Sequence, residues 1–193
     1  MKARNLTIAI VLLAGALSAY FFFISRSFIP PEFLEARLKG AELAKNIVRL
    51  SAPALQSLER IAEYDQQGNA PEALILISEE VIKNRQAHQE AIKLASQLEK
   101  MARTIDDIKP AQAKVLATEA VSSEVALVSR LLSYNDYLLQ LFVVLQDKFQ
   151  KHINTDGRVR ELVNKINEEA LAINAFNSKF TNSLAEFDQI FAH

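Results

Sequence analysis

The chain has 193 residues, half of them apolar and 23% charged, with four glycines, five prolines and no cysteine. This composition excludes an intrinsically disordered chain, a disulfide-stapled scaffold and a thiolate metal centre. The formal charge is −1 with the signs interspersed, which leaves no electrostatic footprint for nucleic acid.

Asn5 to Ser25 contain no charged residue. At ~1.5 Å rise per residue a helix of this length crosses a hydrocarbon core of roughly 30 Å. The sequence therefore predicts a transmembrane anchor over 5–25. A cleaved signal peptide, cut near Ala16-Leu17-Ser18, is the first alternative, and a buried core helix the second; the apolar run continuing through Tyr20 and Ile24 argues against cleavage. Lys2 and Arg4 precede the segment, whereas Arg26 alone follows closely before Glu32 and Glu35. The positive-inside rule then predicts a single-pass membrane protein. Residues 1–4 form a cytoplasmic tail, 5–25 lie in the lipid bilayer, 26–30 are a linker, and 31–193 form an extracytoplasmic bundle.

The remainder reads as four long helices. The first is predicted over about 31–66, opening after Pro30-Pro31, with Leu43, Ile47, Leu50, Ala54, Leu58 and Ile61 at helical spacing. Pro53 either kinks this helix or splits it, with Ser51 as a fresh cap, and the unbroken stripe favours the kink. A second helix over 70–107 follows Gly68 and Asn69, where Asn69 and Glu72 have capping-box spacing. Its stripe runs Leu74, Ile77, Val81, Asn84, His88, Ala91, Ala95, Leu98, Ala102, Ile105, a heptad alternation that suggests a coiled coil. The third helix, 110–151, has a wide apolar face that includes Leu116, Ala120, Val121, Val125, Leu131, Leu138 and Phe142. The fourth, 158–191, follows a break at Asn154, Asp156 and Gly157 and carries Val163, Ile166, Ile173, Asn177, Phe180 and Phe187 on its seam. The predicted fold class is all-α: a single N-terminal transmembrane helix followed by an elongated antiparallel four-helix bundle with a kinked first helix.

The chemistry that the sequence offers is sparse. Asn84 and His88 interrupt an apolar seam. Aligning the helices at their midpoints puts Asn135 and Glu169 at the level of Asn84, with Arg130 near His88 and Pro53 close by. Such a polar layer suits a small ligand or a buried ion; the alternative is that these residues specify register or face outward. The adjacent acids Glu79-Glu80, Asp106-Asp107 and Glu168-Glu169 read as solvated surface, because neighbours on a helix do not face each other. Three scattered histidines, no Glu-x-x-His pair, no nucleophile elbow and no phosphate loop predict no metal, no cofactor, no catalytic residues and no enzymatic activity. Connectivity places the turns holding Gly68, Asn69, Asp156 and Gly157 together at one tip. That tip, with Phe176, is the candidate surface for a protein partner or for self-association. The function expected from these readings is a membrane-anchored binding or scaffolding protein of the cell envelope. The alternative is an extracytoplasmic small-ligand sensor built around the polar layer.

Overall fold

The computed structural model describes residues 27–151 and 153–192. Five α-helices make four antiparallel rods: α1 (Pro31–Ser51) and α2 (Ala54–Gln66) in series, then α3 (Ala70–Thr104), α4 (Ala111–Lys151) and α5 (Asp156–Phe191). A 3-10 turn, Ile105–Asp107, follows α3. Pro31 sits in the first turn of α1, where its missing N–H costs nothing. Ala52 and Pro53 keep right-handed helical dihedrals between α1 and α2. Ala52 N–H still donates to Val48, and Ser57 N–H to Pro53. Pro53 removes one rung of the ladder without turning the chain away, so the first rod is kinked.

At the far end of α2, Gly68 takes φ +69°, a left-handed conformation that closes the turn into α3. Asn69 occupies the N-cap of α3, yet its side chain makes no capping bond, so the capping-box expectation fails there. At the other end, Phe28 and Lys109 exchange two backbone hydrogen bonds of 3.0 Å, tying the chain before α1 to the turn before α4.

The predicted membrane segment 5–25 lies outside the described residues. Among the described residues no helix is long and apolar enough to cross a membrane. Each long helix is amphipathic, with charged residues along its outward face, so none presents the all-round apolar surface a span requires. The fold class is therefore corrected to an all-α bundle of four helices, the first kinked, with no transmembrane helix among the described residues. The lipid bilayer as partner, the cytoplasmic N-terminus and the single-pass, extracytoplasmic placement all rested on that span, and no described helix supplies one.

The coiled-coil reading of α3 is also corrected. Its buried face is Ala73, Ile77, Glu80, Asn84, Ala87, Ala91, Leu94, Leu98 and Met101, and Ala95 and Ala102 are exposed. Small and polar residues hold most of these positions where a coiled-coil seam needs large apolar knobs. α3 instead sits between two neighbours, α1 with α2 on one side and α4 on the other; α4 packs in turn along α5. The backbones of α1 and α5 do not pack closely. They meet near one end, through the Phe33 and Phe187 rings at 5.7 Å and a bidentate Arg37–Asp188 ion pair.

Candidate ligand site at mid-bundle

The apolar interior comes in two blocks. One gathers Phe33, Ile47, Ala91, Leu98, Val128 and Phe187. The other gathers Ile61, Ile77, Leu138, Phe142, Leu162 and Ile166. Between Ile77 and Ala91 the buried residues of α3 are Glu80, Asn84 and Ala87. Between Leu131 and Leu138, α4 buries Asn135, and beyond Ile166, α5 buries Glu169. The first rod contributes Ser57, just past the Pro53 kink. A polar band therefore crosses the bundle where the apolar core is interrupted.

Within the band, Asn84 Nδ2 donates to the backbone carbonyl of Asn135 at 2.8 Å. The Asn135 side chain, in a residue 1% exposed, has neither its Nδ2 nor its Oδ1 partnered among the described residues. Glu169 faces Arg130 at 3.5 Å through Oε1, while its Oε2 is buried with no partner among the described residues. His88 Nδ1 lies 3.7 Å from Asp136 Oδ1, beyond hydrogen-bond reach, and both residues are partly open to solvent. Of the five residues read as a polar layer, the structure joins Asn84 directly to Asn135 and Arg130 to Glu169. His88 pairs with neither.

Two buried acids escaped the sequence reading. Glu80, assigned there to the solvated surface with Glu79, is 1% exposed. Ser57 Oγ donates to its Oε1 at 2.9 Å and Lys83 Nζ approaches the same oxygen at 2.7 Å. Glu124 is 6% exposed and has no hydrogen-bond or ion-pair partner among the described residues. Burial alone pushes its carboxyl up to about 7. The available signal was positional: Glu124 stands three residues after Val121 and four before Val128, inside the helical stripe of α4.

Glu124 lines a cleft of about 270 Å³ that opens where α1 and α5 fail to close on each other. Ile47, Leu94, Leu131 and Ile173 supply apolar wall from the four rods, and Asn174 and Asn177 stand exposed at the rim. Leu131 directly follows Arg130, and Ile173 lies one turn beyond Glu169, so the cleft adjoins the polar band.

The residues read as a partner surface divide. Gly68 and Asp156 do line one cleft at the α2–α3 end, beside a Lys148–Asp65 ion pair. Asn154 Oδ1 accepts from the Asp156 N–H there. Asn69 N–H is spent on the Tyr64 carbonyl, and a side chain at Gly157 would meet nothing within 4 Å. Phe176 is about 28 Å along α5 from Gly157, under Lys179, whose ammonium lies 5.7 Å from the ring centre. It takes no part in the tip. Among the described residues, no group of three or more acidic or histidine side chains is placed to hold a metal ion.

Comparison with known proteins finds no matching family model, no matching curated protein and no matching solved structure. The membrane-anchored scaffold reading finds no support among the described residues, where no helix is long and apolar enough to cross a membrane. The buried polar network is the feature that the small-ligand alternative required.

Proposed function

We propose that the bundle is a small-ligand sensor domain, one that admits a solute between its helices beside the polar band and responds by repacking there. The observation that carries this reading is Asn135, whose carboxamide is buried and, among the described residues, unpartnered at the level where the core is interrupted. Buried polar atoms in native proteins nearly always have partners, and leaving one unmet costs about 1–3 kcal/mol. An adjoining cleft gives a solute access to the band. The kink at Pro53 lies in the wall of the same region, and a rod already missing a rung bends there at little cost.

The test is thermal unfolding of the protein with millimolar amines, carboxylates, amino acids and polyols, each also run on an Asn84→Leu/His88→Leu double variant. A ligand that binds only the folded chain raises the melting temperature, by the equivalent of about 2.7 kcal/mol at a hundredfold excess over Kd. The proposal expects at least one class to do so, with a smaller rise in the double variant. If no class raises the melting temperature, the reading is wrong and the polar band serves packing alone.

A further inference from the structure

We propose that the cleft at Glu124 binds a small organic ammonium ion, with its charged head on the Glu124 carboxylate and its hydrocarbon body against the apolar walls. This rests on the reading of the bundle as a ligand-binding domain and names the class of ligand.

Glu124 is buried at the cleft with no donor or cation of its own among the described residues, whereas the buried acids Glu80 and Glu169 each face a Lys or Arg. An ionised carboxylate only accepts hydrogen bonds, so whatever completes it must donate. An ammonium brings three donors and the compensating charge, and charge-assisted bonds of this kind are about twice as strong as neutral ones. A carboxylate ligand would meet like charge. An alcohol would supply one donor and leave the charge uncompensated. Ile47, Leu94, Leu131 and Ile173 favour a hydrocarbon body over a bare inorganic cation. Asn174 and Asn177 at the rim can take up a remaining donor or acceptor. A volume of about 270 Å³ limits the ligand to a short-chain or single-ring amine.

Among the described residues, the remaining lining residues from α1, α3, α4 and α5 carry no titratable side chain, so Glu124 governs the charge of the cleft. Its carboxyl is raised by burial, so it ionises as pH climbs through about 7. Ammonium affinity therefore rises over the same range and levels off once the carboxylate is fully formed.

Isothermal titration calorimetry on the full chain at pH 8 with cyclohexylammonium, cyclohexanol and cyclohexanecarboxylate isolates the head group on a constant body. The expected result is binding of the ammonium alone, weakened at least about tenfold in a folded Glu124→Gln variant, since the charge-assisted contact is lost. The wild-type affinity should fall at least about fivefold at pH 5.5, where the carboxyl is mostly protonated. Tighter binding of the alcohol or the carboxylate overturns the ammonium assignment, as does ammonium binding unchanged in Glu124→Gln; either outcome leaves a ligand-binding bundle standing. Silence from all three probes overturns the assignment too, and silence from the wider thermal panel as well removes the sensor reading beneath it.

Discussion

Glu80 and Glu124 are both buried glutamates facing inward from adjacent rods, and they are treated differently. Around Glu80 the bundle supplies a hydroxyl from the kinked rod and an ammonium one turn away on the same helix. Around Glu124 it supplies hydrocarbon and a cleft. The first carboxylate is a finished structural contact that links α2 to α3. The second is a buried charge left for something else to complete. Removing a charge from water costs several kcal/mol unless partners return it, so the contrast marks where the fold is self-sufficient and where it is not.

Neutralising the unpaired acid should have the largest effect. Glu124 has its folded-state pKa raised to about 7, above the ordinary 4.5. Below about pH 4 the carboxyl is neutral in both states and costs nothing. As pH rises the unfolded chain releases its proton first, so the folded state loses stability until its own carboxyl ionises near 7. Glu124→Gln should therefore match wild type in chemical denaturation at pH 4 and exceed it by about 3 kcal/mol at pH 8. A gain that does not depend on pH would mean that the carboxyl is not held protonated in the folded chain.

Glu80→Ala should act in the opposite direction, costing about 2 kcal/mol, because it orphans the buried Ser57 hydroxyl. A double-mutant cycle with Ser57→Ala should recover about 1 kcal/mol of coupling. Asn135→Leu removes two unpartnered polar atoms while keeping the backbone carbonyl that Asn84 uses. It should stabilise the chain by about 1 kcal/mol and reduce any ligand-induced rise in melting temperature. Lys83→Ala should cost the least, about 0.5 kcal/mol, since Lys83 is partly solvated. A loss as large as that of Glu80→Ala would show that the ammonium, rather than the hydroxyl, completes Glu80.

The four-rod architecture was legible because its breaks are chemically explicit. Gly68 is needed for a positive φ, Pro110 precedes α4, and Asn154 caps the turn into α5. The kink at Pro53 was legible because Ile47, Ala54 and Ile61 hold one face across it. Rotational setting was not. Two heptad phases of α3 share Ile77, Asn84, Ala91 and Leu98. They differ in offering Leu74, Val81, His88 and Ala95 or else Ala73, Glu80, Ala87 and Leu94. Hydropathy prefers the first set, and the fold buries the second because Ser57 and Lys83 make Glu80 tolerable. That rotation also carries His88 away from the pairs it was expected to join.

The same degeneracy hid Glu124. Val125 beside it offered an apolar candidate for the interior, yet Val125 is 50% exposed. Val163 and Leu162 repeat the pattern on α5, where the leucine is fully buried and the valine is not. Asn84 stood out because both phases of its stripe contain it, and Asn135 because midpoint alignment of the helices sets it at the same level. A partner hydroxyl arriving from a helix far away in sequence leaves no local trace, and neither does a cleft formed by two rods that do not close.

The divided interior has a mechanical consequence. Two apolar blocks are separated by a level poor in dispersion contacts, and one wall there already lacks a backbone rung at Pro53. Such a bundle can open in halves, as two cooperative units of unequal lifetime. Amide exchange would then slow in two steps along α4, with the boundary at Asn135.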